Sequence, residues 1–289
     1  MARTRDPRFY RRLVGRRVRR LREERARTQP EVAAAMEWSL SKLIRLEAGA
    51  GGVSASDMKA LLTEYGVTDP EQVDQFVAMA RETRKRAWYD RFASVLNTPV
   101  SNLFSYESAA TAIRQAHPLL VPGPAQTPRY TRSLLAQYFS GAELDLAEEA
   151  RRERLRRLRG ADGPEMALLI DESVIRRVIG GPEVMSEQLR ELRALAEDQK
   201  VTIRVIGYAA GWHAALDGPF ILLDVEGDLE SEVETVLFLE MLDKDFFTAG
   251  DDELVRTYQT KWDDSVRAAL SEDDSLALIE EQIKLLDAR

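Results

Sequence analysis

The side chains with the clearest chemical potential in this sequence lie within residues 39–45. The hydroxyl group of Ser41 can hydrogen-bond to the edges of several bases, and Leu40 can contact a thymine methyl group. The ammonium group of Lys42 and the guanidinium group of Arg45 can reach either phosphate oxygens or guanine. This combination on one short segment predicts contacts with duplex DNA.

Two short helices joined by a tight turn would present these side chains. Thr28 is a suitable N-cap for the first helix, and Glu31, three residues later, completes a capping box. Ser39 would cap the second helix and lie at the DNA surface with it. Leu43 and Leu46 would face inward, so the intervening polar and basic side chains are left on the outer face.

Basic residues are concentrated at the N-terminus. Residues 1–50 contain 14 Lys and Arg against 6 Asp and Glu, so a chain of net charge −8 carries −16 over residues 51–289. A basic N-terminal region followed by an acidic remainder is typical of a protein that binds a polyanion through the first part and another molecule through the larger part. We expect Arg16 and Arg20, on the helix that precedes residue 28, and Gln29 to contact backbone phosphates. The alternative interpretation is that these arginines form a charged helix face that contacts only solvent.

This segment resembles the Xre/Cro-type helix-turn-helix family. The pattern is a basic residue, a T-Q pair, small and apolar core positions, a turn, and then S-x-x-x-[LI]-x-x-[LI]-E-x-G. The matching residues are Arg22, Thr28, Gln29, Val32, Ala33, Ser39, Leu43, Leu46, Glu47 and Gly49. The resemblance implies a structural lock in which Arg22 and Glu47 pair across the motif.

The sequence departs from that family pattern at three positions. Glu37 stands where the turn usually has glycine, so a residue with a side chain is expected at positive φ, at a cost of about 1 kcal/mol. Ala48 replaces a common Asn and removes one potential phosphate contact. Leu40 is apolar where the family usually has a polar base-contacting residue.

The remaining periodicity predicts an α+β chain that is mostly helical. We expect a five-helix helix-turn-helix domain over residues 1–86, an aromatic connector over 87–105 and a mixed α/β domain with about four strands over 106–289. The predicted strands are 166–171, 201–206, 220–225 and 233–240. The predicted helices of the larger domain are 107–115, 128–139, 144–159, 182–197, 251–270 and 273–286, the last with an apolar stripe suited to a core or, less commonly, a dimer seam.

Residues for catalysis or metal binding are sparse. The sequence has no Cys and two histidines, His117 and His213, neither of which has a second His nearby. The glycines at 180 and 181 lack the Lys-Ser/Thr of a phosphate-binding loop. We therefore expect no enzyme activity, cofactor or metal. The absence of Cys, of a signal-peptide pattern and of an apolar run of about 20 residues favours a cytoplasmic, nucleoid-associated protein without a membrane segment.

A second resemblance covers the larger domain. Residues 117–130, HPLLVPGPAQTPRY, together with 179–185 and 201–220, are similar to an actinobacterial family of WhiJ-like regulators with an antitoxin-like C-terminal domain. Members join this domain to an Xre-type helix-turn-helix and are often encoded beside a small BldB-like protein. The residues at 124 and 125 depart from the usual apolar pair. The resemblance implies a possible BldB-like partner for this chain.

These observations together predict a sequence-specific transcription regulator, most simply a repressor. We expect it to bind a palindromic operator in double-stranded DNA as a homodimer and to be controlled through its C-terminal domain by a small partner protein. The alternative is a one-component sensor in which residues 201–220 line a pocket for a small molecule. An enzyme with a DNA-targeting head is a third class, with the weakest support.

Overall fold

The computed structural model describes residues 5–226, 233–241, 245–248 and 252–288. The chain separates into two compact units, with the division between Asp90 and Arg91. The first unit is helical, and the second contains the sheet. The fold class predicted from the sequence, α+β and mostly helical, is confirmed.

Five helices form the first unit. They are α1 (Pro7–Glu24), α2 (Gln29–Ala35), α3 (Leu40–Glu47), α4 (Ala55–Glu64) and α5 (Pro70–Thr83). Each begins at an N-cap whose side chain accepts a hydrogen bond from a first-turn amide: Asp6, Thr28, Ser39, Ser54 and Asp69, respectively. These caps satisfy amides that have no partner within a helix, which explains why the starts of α2 and α3 could be predicted from Thr28 and Ser39.

The core of the first unit is built from the inward stripes of all five helices. Val14 and Val18 of α1, Leu43 of α3 and Leu61 of α4 are fully buried in it, together with Phe76 of α5. These positions follow the helical period, so every helix contributes an apolar face and leaves a polar face to solvent.

A six-stranded mixed sheet forms the centre of the second unit. The strands are β1 (Ala110–His117), β2 (Glu165–Asp171), β3 (Val201–Ile206), β4 (Phe220–Glu226), β5 (Val233–Leu239) and β6 (Phe246–Thr248). Their order is β3-β2-β1-β4-β5-β6. β1 is parallel to β2 and antiparallel to β4, with Ile113 opposite Met166 on one side and Leu223 on the other. The four strands predicted from sequence are confirmed, and β1 and β6 are additional.

The helices of the second unit are α6 (Thr98–Glu107), α7 (Pro128–Leu135), α8 (Gly141–Leu158), α9 (Glu172–Arg176), α10 (Pro182–Leu195), α11 (Asp252–Ala268) and α12 (Glu272–Asp287). α11 covers one sheet face through Val255 and Trp262. The apolar stripe of α12 is core, because Ile279, Ile283 and Leu286 are buried within this single chain.

The predicted helix over residues 107–115 is wrong. α6 ends at Glu107, and the following residues enter β1 at the middle of the sheet. Local composition misled the prediction, because alanine and polar residues with good helix propensity dominate this stretch. Hydrogen bonding to β2 on one edge and β4 on the other overrides that propensity, as expected where tertiary context decides strand formation.

The segment predicted as a connector contains regular structure. A 3₁₀ helix covers Trp88–Phe92, and α6 begins at Thr98. Tyr89 belongs to the first unit and donates a hydrogen bond to Asp6 at 3.0 Å, and Phe92 is also buried. The domain boundaries proposed for this region at residues 86 and 106 stay a prediction.

Candidate nucleic-acid interface

A capping box fixes the start of α2. The Thr28 backbone N–H donates to Glu31 Oε2 at 2.7 Å, and the Glu31 N–H donates back to Thr28 Oγ1 at 3.4 Å. The Glu31 side chain also accepts from the Thr28 hydroxyl group, and these contacts lower the pKa of that carboxyl group. Because the box satisfies otherwise unpaired amides, it determines where the chain turns from α1 into α2.

Glu37 occupies the turn between α2 and α3 in the left-handed region of backbone space, with φ of +54°. The expectation that this residue would adopt positive φ is confirmed. The turn then delivers Ser39, whose Oγ accepts a hydrogen bond from the Lys42 N–H at 3.2 Å and so begins α3. An acidic residue thus accepts a backbone strain that glycine would avoid.

We expect Glu37→Gly to stabilise the first unit by about 1 kcal/mol, since glycine removes the steric cost of positive φ. The gain is partly offset because glycine is more flexible in the unfolded chain. Chemical denaturation monitored by hydrogen exchange within residues 5–90 measures it. Glu37→Ala is the matched control, because it removes the carboxylate and keeps the Cβ. Equal stability for wild type, Glu37→Ala and Glu37→Gly would contradict the account.

α3 divides into a buried face and an exposed face. Leu43 and Leu46 are buried, whereas Leu40 and Ile44 are 41% and 42% exposed. The side chains of Ser41, Lys42 and Arg45 are also exposed. Exposure of large apolar side chains beside hydroxyl and cationic groups is unusual for a solvated helix face and suits a surface that another molecule covers.

A buried ion pair links the motif to α1. Arg22 donates two hydrogen bonds to Glu47, Nε to Oε1 at 2.7 Å and Nη2 to Oε2 at 2.8 Å. Both residues are less than 10% exposed. The bond to Glu47 is the main reason that the pKa of Arg22 is raised, although burial opposes it. A parallel two-bond arrangement fixes the orientation of both groups, so α1 and α3 are held at a defined angle.

Gln29 joins this ion pair. Its side-chain amide donates from Nε2 to Glu47 Oε2 at 2.8 Å. The sequence analysis predicted that Gln29 contacts a backbone phosphate. Residue spacing gave no indication of its hydrogen bond to Glu47, which lies 18 residues further along the chain. In the structure the first residue of α2 is therefore tied to the last residue of α3.

Glycine permits α1 to cross the end of α3 at very short distance. A Cβ on Gly15 would lie 2.6 Å from the Leu46 carbonyl oxygen, and one on Gly49 would lie 2.8 Å from the Arg12 Cα. Gly49 also has φ of +66°. Both positions exclude a side chain, so the packing of α1 on the motif depends on these two glycines.

Lys42 and Arg45 differ in their surroundings. The Lys42 Nζ lies 3.1 Å from Asp57 Oδ2 and 3.7 Å from the centre of the Trp38 ring. The Arg45 side chain forms no hydrogen bond or ion pair with any residue that the structure describes. Sequence reasoning missed both contacts: Asp57 lies 15 residues beyond Lys42, where no spacing rule applies, and Trp38, four residues before Lys42, was not considered as its partner. Arg45 is the cation whose side chain is available without loss of an existing contact.

Four of the predicted DNA-contacting residues line one surface groove of about 340 Å³. They are Ser39, Ser41, Lys42 and Arg45, and the facing wall is the loop that contains Gly51 and Gly52. A Cβ on Gly51 would meet no atom within 4 Å, so the backbone of this wall is open to a ligand. The groove thus combines hydroxyl groups, two cations and accessible backbone along one edge of α3.

The α1 arginines have varied environments. Arg20 pairs with Glu24 at 3.2 Å, and Arg19 pairs with Glu23 at 2.8 Å. Arg16 is partly buried directly after Gly15, next to the C-terminal end of α3. The phosphate contacts expected of Arg16 and Arg20 stay predictions.

Both histidines of the second unit are buried and occupied by protein contacts. His117 Nδ1 accepts from the Leu119 and Leu120 amides, and Nε2 lies 3.5 Å from Glu240. His213 Nε2 lies 3.3 Å from Asp171. Within the described ranges, no group of three or more His, Cys, Asp or Glu side chains could hold a metal ion.

Comparison with known proteins gives two matches along the chain. A helix-turn-helix domain family matches residues 13–76, which include most of α1, all of α2, α3 and α4, and the groove beside Arg45. A domain family of unknown function, DUF5753, matches residues 100–281. No curated protein and no solved structure matches the chain.

Among the described residues, no helix combines the length and apolar character required to cross a bilayer. The helix-turn-helix match coincides with the segment that carries the exposed α3 face and the buried Arg22–Glu47 pair. The second match covers more than half of the sequence. The protein is a DNA-binding regulator of the helix-turn-helix class, and its chain belongs to the DUF5753 family.

Proposed function

We propose that α3 is the recognition helix and lies in the major groove of an operator. The observation that carries this proposal is the groove shared by Ser39, Ser41, Lys42 and Arg45, at which Arg45 has no described protein partner. An α-helix fits the major groove, and residues near its N-terminus reach the base edges. Leu40, exposed in the first turn of α3, is placed for contact with a thymine methyl group.

Specific roles follow for the other polar residues. Arg45 binds guanine or a phosphate through the planar set of donors on its guanidinium group. Lys42 either replaces its ion pair with Asp57 by one with a phosphate, or keeps that ion pair and approaches a base edge. Gln29 positions Glu47 and, from the N-terminus of α2, reaches a phosphate when that bond is exchanged. Arg16 and Arg20 add electrostatic attraction to the backbone.

The regulator is proposed to act as a cytoplasmic, nucleoid-associated repressor. A homodimer would present two copies of α3 to a palindromic site, since a two-fold protein reads a two-fold sequence. The antitoxin-like domain proposed for residues 106–289 would receive a small BldB-like partner and control DNA release. The strongly acidic balance outside residues 1–50 supports a partner other than DNA for this region.

Selection of bound duplexes from a random pool tests the specific and dimeric parts of this proposal together. Full-length protein is expected to enrich a two-fold symmetric sequence with half-site centres about 10–10.5 base pairs apart, or a multiple of that spacing. Sedimentation of the complex should give two chains per duplex. Enrichment of an asymmetric site bound by one chain would rule out the homodimer, and no enrichment would rule out sequence-specific binding.

The alternative function, a one-component sensor of a small molecule, is favoured by a different observation. The second unit contains a cavity of about 550 Å³ with both apolar and charged walls. The sequence analysis suggested residues 201–220 as the lining of a pocket. None of these residues lines this cavity. A sensor would therefore use another part of the domain.

A further inference from the structure

The cavity of about 550 Å³ lies on the sheet face opposite α11. Side chains alternate along a strand, so Ala116, Phe220 and Leu237 face α11 while their neighbours Gln115, Ile221 and Phe238 face the cavity. α6, α7 and α8 supply the remaining walls, which include Leu103, Leu135 and Arg151. The volume of about 550 Å³ falls within the range of about 300–1,000 Å³ that is typical of small-molecule sites.

Two arginines of α8, less than one turn apart, line this cavity. Only one of them has an ion-pair partner among the described residues. Arg154 is buried and donates to both oxygens of Glu107, with Nε to Oε2 at 2.9 Å. The Arg151 side chain makes no hydrogen bond or ion pair with any described residue. Both guanidinium groups lie beside Gly123, where a Cβ would be 2.9 Å from Arg154 Nη1 and 3.7 Å from Arg151 Nη1.

The surroundings of Arg151 are unfavourable for the charge of its guanidinium group. Protein atoms surround it closely, and this burial is the main reason that the pKa of its guanidinium group is lowered, with a further lowering by the charge of Arg154. The cavity leaves part of its surface accessible. The charges of Glu240, Glu107 and Asp245 favour the cation from a distance. A cation held away from bulk water without a direct carboxylate partner among the described residues still lowers stability, so a compensating anion would stabilise it.

The nearby carboxylates that the structure describes are engaged elsewhere. Glu107 is fully occupied by Arg154. Because His117 Nδ1 accepts two backbone hydrogen bonds, its ring proton is on Nε2 and points to Glu240. That contact is the largest cause of the lowered pKa of Glu240. Asp245 accepts a hydrogen bond from Asn97 at 2.9 Å. None of the three lies within ion-pair distance of Arg151.

A second unsatisfied group lines the same cavity. Gln115, in the C-terminal half of β1, is 4% exposed, and its side-chain carbonyl oxygen accepts no hydrogen bond from any described group. Buried polar atoms are normally paired, so an unpaired acceptor on a cavity wall marks a place for a donor that a ligand would bring.

We propose that this cavity binds a small organic anion, with a carboxylate or phosphate group on Arg151, a hydrogen-bond donor at Gln115 and an apolar body against Leu103, Leu135 and Phe238. The site itself is independent of DNA binding. Its use as a regulatory switch rests on the proposed function, so ligand binding and DNA binding are measured separately.

Thermal unfolding of the full chain with chemically defined probes tests the site. Decanoate and decyl phosphate carry the two anionic groups on the same apolar chain, and decan-1-ol is the neutral control. A saturating anionic probe should raise the Tm by several degrees, because a ligand bound only to the folded state stabilises it. The better of the two anions identifies the headgroup class. If neither anion raises the Tm more than decan-1-ol does, the anion site is refuted.

Variants of α8 separate a ligand-binding role from a structural one. Arg151→Gln should abolish the anion-dependent shift and leave the Tm of the unliganded protein equal or higher, because it removes an unpaired buried charge. Arg152→Gln, exposed on the same helix, should change neither value. Arg154→Gln should lower the unliganded Tm, because it leaves Glu107 buried without a partner.

A lower Tm for unliganded Arg151→Gln, or an undiminished anion-dependent shift in that variant, would overturn the proposal. Gln115→Leu provides a further check, since it should weaken binding only for probes that carry a donor, such as 10-hydroxydecanoate relative to decanoate. DNA affinity measured with and without the bound probe then tests regulation. An unchanged DNA affinity would remove the switch and leave the site intact.

Discussion

Glu47→Ala should destabilise the first unit by about 3–5 kcal/mol, the usual cost of removing one partner from a buried ion pair. Arg22 would stay buried with two donors unpaired, and the Gln29 amide would lose its acceptor as well. Since Glu47 joins α1, α2 and α3 through these bonds, the loss should spread over the whole motif.

Hydrogen exchange resolved by mass spectrometry gives the local measurement, because the two units need not unfold together. Protection should fall in α1, α2 and α3 of the Glu47→Ala variant and stay unchanged in the sheet. Glu24→Ala removes an exposed partner of Arg20 and serves as the matched control with little expected effect. Unchanged protection in α1 to α3 of Glu47→Ala would show that the pair does not lock the motif.

A double-mutant cycle distinguishes the pair from simple loss of packing. Arg22→Met and Glu47→Leu are each expected to be costly alone, whereas the double variant should cost much less than their sum. This follows because an apolar pair leaves no unpaired charge in the core. Additive costs would indicate that the two side chains contribute independently.

Arg45→Ala should lower operator affinity by about 10- to 100-fold, which corresponds to about 1–3 kcal/mol for a specific base contact. Arg45 has no described protein partner to give up, so its full interaction energy is available to DNA. Lys42→Ala should have a smaller effect, because Lys42 already interacts with Asp57 and Trp38 in the free protein. Fluorescence anisotropy with a selected operator measures both variants.

The salt dependence of binding separates the two modes of contact. If Arg45 reads guanine, its loss should relax preference at one symmetric position of each half-site. If it binds a phosphate, its loss should reduce the slope of log K against log salt by about one and weaken all sequences alike. Arg45→Lys keeps the charge but lacks the planar fork, so it should retain the phosphate contribution and lose the guanine preference.

Sequence reasoning was most successful where local contacts decide structure. The capping box of Thr28 and Glu31 and the cap at Ser39 depend on residues a few positions apart, whereas the positive φ of Glu37 was expected from comparison with the family pattern. The Arg22–Glu47 pairing entered through resemblance to a family, because no spacing rule joins residues 25 positions apart.

Long-range contacts limited the rest of the prediction. β1 was taken for a helix, since its strand form depends on β2 and β4, which follow it by about 50 and 110 residues. The Lys42–Asp57 contact and the unpaired state of Arg151 likewise depend on packing between distant segments. In the basic pattern of α8, Arg151 and Arg154 cannot be distinguished by sequence.

The central claim is that the exposed face of α3 is the DNA-binding surface. The most direct test compares operator affinity at low salt for the wild type, Lys42→Ala/Arg45→Ala, and Arg81→Ala/Lys85→Ala, a double variant of equal charge loss at the end of α5. Circular dichroism confirms that each variant is folded. The account predicts a loss of at least 10-fold for the α3 variant and little change for the α5 variant. Equal affinity of the wild type and the α3 variant would contradict it.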